Sequence, residues 1–432
     1  MPPLLSWLWL RQPGSERQGG QSRILVIIED RLASQLDAAI AQYRDDLLAE
    51  GYTVDVRVDI GRSSSPLQVR AQLQDTFAAH PDLQGALLIG NIPALLFNTK
   101  KQQGDPYWHD YLSDLYYMDL DGVWEDTDGN GVYDAHSGHR APEIWVSRLR
   151  TDTLSALAGE VDLLRRYFAK NHAYRTGVEE PPPSRALVVS HMFDVLRSHW
   201  GARVGLVTPS IIAHQCQNRL ATKLQEELHD AQGYQWAIIS AASGSRIHHF
   251  HPEGYQLGEK IGRTREGRAR VQQYLDEIHV GNDVGAYALR SLNSHVLFYH
   301  LLGSEAGRYD TEDYLAGYYV FGGKGLLAIT GTQHGGPIGT PDGEFYRRVA
   351  EGASVGNAWK EALLWMEQNK RKPYAQMLCD GTVVNWTIDS APSKAVLIGD
   401  GTLRVPSFFL SYKEQVSLWR NAWREPGRDG KE

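Results

Sequence analysis

Near the start of the chain the hydrophobic pattern switches back and forth between two periods, and this restricts the fold more than any other feature. "RILVIIED" (23–30) is a β-branched run of buried-strand length. "LASQLDAAIAQYRDDLLAEG" (32–51) repeats apolar residues at helical spacing and ends on Gly51. "YTVDVRVDI" (52–60) alternates as a strand, and "SPLQVRAQLQDTFAAHP" reads as a helix capped by Ser65 with Pro66 in its first turn. "LQGALLIGNIPA" (83–94) is a third buried strand. A β-α-β-α-β order predicts a mostly parallel sheet with helices on both faces, so the class is α/β.

The design repeats after a Pro-rich linker at 174–184. Before it, "PEIWVSRLR" (142–150) reads as a strand and "TLSALAGEVDLLRRYFAKN" (153–171) as a helix. After it, strands are expected at 185–191, 234–245, 294–304, 323–333 and 394–405. Helices are expected at 216–233, 265–279 and 343–369, the last broken at Gly352. The expected organisation is a flexible lead-in over 1–22 and a first α/β subdomain over 23–174. A second subdomain over 184–405 and a C-terminal tail over 406–432 complete it.

With 432 residues and a formal net charge of −8, nothing points to nucleic acid as a partner. No apolar run is long enough for a membrane helix; "LLSWLWL" near the N-terminus is too short and lacks the flanks of a signal peptide. The two cysteines, Cys216 and Cys379, have no metal spacing and read as isolated structural thiols. "NWT" (385–387) is a glycosylation sequon where that machinery exists.

A long insertion at about 98–140 contains "DTDGNGVYD" (126–134). Asp126, Asp128 and Asn130 alternate, Gly131 takes the sharp-turn position, Val132 offers a carbonyl and Asp134 stands ninth. Calcium takes six to eight hard oxygens from such a curved loop. The twelfth position is Ser137 rather than Glu, so Asp119, Asp121 or Glu125 is needed to complete the shell. The ion expected here is a structural calcium.

"ALLIGNIPA", "SDLYYMDLDGVWEDTDGNGVYD" and "PEIWVSRLR" resemble the first subdomain of gingipain-type cysteine peptidases. "YQWAIISAASGS", "LLGSEAGRY", "YLAGYYVFGGKGLLAITGT" and "VLIGDGTLRV" continue the resemblance to about residue 405. It implies a caspase-like fold of two tandem α/β subdomains. It also implies a Cys nucleophile ending one strand, a His ending its neighbour and backbone N–H groups for the oxyanion. Carried over, the Cys position, preceded by Gly303, is Ser304, and the His position is Ala242, or Ser243 in the register that matches Gly244 to the family's Gly. Neither register supplies an imidazole.

Three readings follow. The chain is a non-cleaving or inactivated peptidase homologue that binds peptide or protein. Alternatively it is an active endopeptidase, either one whose Cys and His have been exchanged in this copy or one pairing Ser304 with a relocated base, His248 or His249 of "RIHHFHPEG". Or it is a non-catalytic scaffold or adhesion module. The triple His also suits a transition metal, and His334 lies near the expected cleft rim. The resemblance implies a secreted or cell-surface setting, although the N-terminus reads poorly as a signal and a cytoplasmic setting fits it as well. The oligomeric state is open.

Overall fold

The computed structural model describes residues 22–98, 110–191, 207–208, 210–217, 219–250, 282–333, 343–369, 374–377, 379, 381–386 and 391–405. The expected helix at 265–279, His251, His334, Thr387 of the sequon and the tail from 406 lie outside these. Among the described residues, ten strands form the main sheet. They are β1 (Arg23–Glu29), β2 (Thr53–Ile60), β3 (Leu83–Ile89), β4 (Trp145–Leu149), β5 (Arg185–Ser190), β6 (Ser210–Gln215), β7 (Tyr234–Ser240), β8 (Val296–Leu301), β9 (Leu327–Gly331) and β10 (Ala395–Gly399). Their order across the sheet is β6-β5-β7-β8-β9-β10-β4-β3-β1-β2. The larger helices are α1 (Asp30–Ala49), α2 (Pro66–Ala79), α3 (Glu160–Thr176), α4 (Leu220–Leu228), α5 (Leu315–Phe321), α6 (Glu344–Ala350) and α7 (Val355–Asn369).

The architecture is therefore mixed α/β with a mostly parallel sheet flanked by helices. The two halves share one sheet. The last strand, β10, runs antiparallel to β9 and sits between the halves. A strand contributed by the end of the chain closes a gap between two sets of βα units, and local periodicity carries no sign of such long-range pairing. Trp145, which opens β4, lies in the space that side chains at Gly85, Gly356 or Gly401 would need. Small residues on three elements thus make room for one buried indole.

Local signals held where caps or breakers are strong. Ser65 accepts the backbone N–H of Gln68 at 3.3 Å while its own N–H donates to the Gln68 side chain at 2.7 Å, a complete capping box. Gly352, at φ +88°, separates α6 from α7. The helix expected from 153 begins only at Glu160, because Leu154–Ala158 forms turns and Gly159 takes the cap position. "YLAGYYVF" contains α5, and "SIIAHQ" is the edge strand β6, which the sequence reading passed over. Both are short apolar runs, which periodicity alone does not assign to helix or strand.

Asp400, just past β10, is a buried anchor. Its carboxylate accepts from Tyr43 Oη (2.9 Å), Asn171 Nδ2 (2.9 Å), Arg175 Nη2 (2.6 Å) and Thr402 Oγ1 (2.7 Å). Burial alone would raise its pKa, but Arg175 and Thr402 hold it below the usual carboxylate value.

The two cysteines are not isolated thiols. Cys216, just after β6, is bonded to Cys379 beside the hairpin Tyr374–Met377/Val383–Trp386, with Cα atoms 5.1 Å apart. A separation of 163 residues hides the pairing from any reading of spacing. The bridge ties the sheet edge to a late hairpin. Reduction, or Cys379→Ser, is expected to cost about 2–4 kcal/mol and lower the thermal midpoint. Melting curves with and without a phosphine reductant check this; identical midpoints would rule the bridge out.

Candidate functional site

The site is built where β7 and β8 end side by side. These strands are parallel neighbours, and Leu302 N–H extends the ladder to Ile239 O at 2.8 Å. Ser304 follows and is half-buried. Its neighbours pin it to the sheet edge: Glu305 N–H donates to Ser243 O (3.2 Å) and Gly307 N–H to Gly331 O (2.7 Å). Gly303 is needed for the approach, since a Cβ there would lie 2.3 Å from Ser243 Oγ. The turn is also tied to the first half. Tyr309 Oη donates to Asp114 at 3.1 Å, and Asp114 is bonded to the fully buried Arg148 of β4.

Beyond β7 the chain forms a small antiparallel sheet of three short strands, Ala242–Ser243, Ile247–His249 and Asp283–Gly285. Its register creates two cross-strand rows: Ala242–His249–Asp283 and Ser243–His248–Val284. Side chains alternate across a strand, so the rows face opposite ways. Ser243, His248 and Val284 are buried, at 5%, 0% and 0% exposure. Ala242 is exposed, and the His249 and Asp283 side chains are 29% and 17% exposed.

The rows give the two neighbouring histidines different chemistry. His248 Nδ1 lies 2.6 Å from Ser243 Oγ, and the ring packs against Phe250 and Tyr319. Among the described residues its buried Nε2 has no hydrogen-bond partner. Burial first, then the neighbouring His249 and His191, push its pKa down to about 3. It is a neutral core imidazole whose hydroxyl partner is Ser243. His249 instead places Nδ1 3.1 Å from Asp283 Oδ1 on the open row. The two registers considered for the His position are thus separated: residue 242 faces outward and residue 243 inward. Among the described residues there is no free thiol.

The acidic insertion holds two carboxylate groups. In the 126–134 loop, Asp126 accepts the backbone N–H groups of Gly129 (2.9 Å), Asn130 (3.2 Å) and Gly131 (2.8 Å), while Asn130 Oδ1 accepts that of Val132 (2.7 Å). Asp134 accepts from Thr127 N at 3.0 Å. These bonds, led by that from Gly131, lower the Asp126 pKa. The second group is Asp119, Asp121 and Glu143, each offering an oxygen within 4.8 Å of the others, and it could hold a metal ion. Asp119 is buried and accepts from Gly122 N and Trp124 Nε1. Burial, then Asp121 and Asp119, raise the pKa of Glu143 against a lowering bond from Leu120 N–H. Sequence reading named Asp119 and Asp121 but missed Glu143, which no spacing links to them. A cleft of about 520 Å³ lined by Lys170, Glu179, His295 and Lys324 shares no residue with the Ser304 group.

No family model matches the chain, and no curated protein matches it. Among solved structures it is similar to the Arg-specific cysteine proteinase gingipain R, with 13% identity and a TM-score of 0.59 over 90% of this chain and 80% of that one. A complex of Porphyromonas gingivalis RgpB pro- and mature domains matches at 12% identity and a TM-score of 0.59, over 90% and 81%. The fold is therefore the caspase-like fold of gingipain, a clan CD cysteine peptidase, as the sequence resemblance implied.

His248 carries a pH signature. An imidazole held neutral when folded and free to protonate near its ordinary value of 6.5 when unfolded contributes stability above that pH. That stability is lost as pH falls from about 6.5 toward 3, by up to about 1.4 kcal/mol per unit. Denaturant melts at pH 7.5 and 5 should show the decline, and His248→Gln should flatten it. An unchanged slope in the variant would refute the assignment.

Proposed function

We propose that the chain is a gingipain-like peptidase homologue that binds peptide or protein segments across the Ser304 edge without cysteine–histidine chemistry. The observation that carries this is the juxtaposition of Ser304 and Ala242 at the ends of adjacent strands, where the resemblance places a Cys and a His. A thiol is partly ionised near neutrality and a serine hydroxyl is not, so the exchange removes the reactive anion. An alanine moves no proton.

The double variant Ser304→Cys/Ala242→His tests the reading. Incubated with a mixed peptide library and read by mass spectrometry, it is expected to cut peptides, and iodoacetamide should abolish that cutting. The unaltered chain is expected to retain library peptides and show no iodoacetamide-sensitive cleavage. A folded double variant that neither retains nor cuts peptides would leave a scaffold or adhesion role in place of this one.

Calcium is the ion we propose for the acidic insertion. The Gly131 N–H to Asp126 bond gives the loop the inward turn that gathers oxygens, and the donor set is all oxygen. Asp126, Asp128, Asn130, Val132 and Asp134 would hold one ion, or Asp119, Asp121 and Glu143 would. Millimolar calcium is expected to raise the thermal midpoint by several degrees over chelator. If Asp126→Ala removes the gain the loop is the site, and if Glu143→Gln does so the second group is. No gain would exclude the ion. The Cys216–Cys379 bridge supports an oxidising, extracytoplasmic compartment.

A further inference from the structure

We propose that the free edge of β2 is a self-complementary interface, on which a second copy of the chain adds its own β2 antiparallel about a two-fold axis at Val56. This surface is remote in strand order from Ser304, which follows β8, and does not rest on the peptide-binding reading.

Among the described residues β2 is the last strand of the sheet and pairs with β1 alone. It is also the longest strand of that sheet, at eight residues. Its pairing is regular from Arg23–Thr53 to Ile27–Arg57, and the register shift comes only after Arg57. Exposed edges are ordinarily blunted by proline, lysine or a bulge. Thr53–Arg57 has none of these, and the charges it carries, Asp55 and Arg57, are of opposite sign.

One bond decides which main-chain groups face outward. Thr53 N–H donates to Ser22 O at 2.9 Å, so Thr53, Asp55 and Arg57 turn their N–H and C=O groups toward β1. Those of Val54, Val56 and Val58 point away from the sheet. Two β2 edges can bond only if these outward residues stand opposite one another, which puts the two-fold axis at a residue from 54 to 58. At Asp55 or Arg57 it sets like charges face to face. At Val54 it leaves Arg57 opposite Gly51. At Val58 it requires Ile60, which is 2% exposed and lies past the register shift. At Val56 every pair agrees: Val56 meets Val56, Val54 meets Val58, and Asp55 meets Arg57 on both sides of the axis.

The Asp55–Arg57 pairs fall at non-hydrogen-bonded positions, where Cα atoms approach to about 4.5 Å and side chains are closest. Arg23 Nη1 holds Asp55 Oδ2 at 2.8 Å, which leaves Oδ1 for Arg57 of the second copy. Pairing also covers Val56 and Val58, now 36% and 48% exposed. Two strands make a small contact beside the roughly 1,200–2,000 Å² of a stable interface, so the dimer is expected to depend on concentration.

The test is sedimentation velocity of the whole protein across a wide concentration range, with backbone hydrogen exchange measured at both ends of it. The expected result is a species of twice the chain's mass that grows with concentration. Exchange at Val54, Val56 and Val58 should slow in the concentrated sample. Asp55→Lys and Arg57→Asp each set like charges opposite on both sides of the axis, and each alone should weaken self-association at least about tenfold. Mixed in equal amounts they should associate again, because one variant presents two positive charges and the other two negative ones. A monomer at every concentration, a dimer indifferent to both changes, or variants that keep the parent circular dichroism yet fail to associate on mixing would each overturn the proposal. Protection at Val54, Val56 and Val58 that does not vary with concentration would put another segment of the chain on the edge and overturn it as well. The first and last outcomes need only the unaltered protein, whatever the substitutions do to folding.

Discussion

The Arg148–Asp114 pair is the constraint on which the arrangement of the sheet edge depends. Both side chains are 1% exposed, and the guanidinium Nε sits 2.9 Å from each carboxylate oxygen. Its remaining N–H groups go to Ile92 O at 2.9 Å and Pro93 O at 3.2 Å, the carbonyls where the chain leaves β3. Its flat face lies over the Tyr309 ring, 4.7 Å from the centroid, and the Tyr309 hydroxyl returns to Asp114. A buried charge pair is tolerable only when its hydrogen bonds are met, and removing one partner typically costs about 3–5 kcal/mol. That network meets them with groups from both halves. It makes the loop after Ser304 a structural part of the first half rather than a mobile appendage of the second.

A second constraint, the two-residue period of extended chain, decides which histidine is buried. His248 and His249 are adjacent in sequence and have identical side chains. One strand register puts the first in the core beside Ser243 and the second on the open row beside Asp283. A shift of one residue in that register would exchange their roles. The bond from Gly244 N–H to Ile247 O, at 3.0 Å, closes the turn that fixes it.

The sequence made legible what is local and repeated. Alternating periods predicted the parallel sheet, Ser65 and Gly352 marked helix ends, and the order of motifs over both halves pointed to the gingipain-type fold. Ser304 fell at a strand end because a small pair after an apolar run marks one. What stayed hidden depends on distance along the chain. The insertion of β10 between the halves, the Cys216–Cys379 bridge and the approach of Glu143 to Asp119 and Asp121 join residues that no local pattern relates. Two registers were open for residue 242 or 243, because strand alternation can be assigned to a buried and an open face only once neighbours are known.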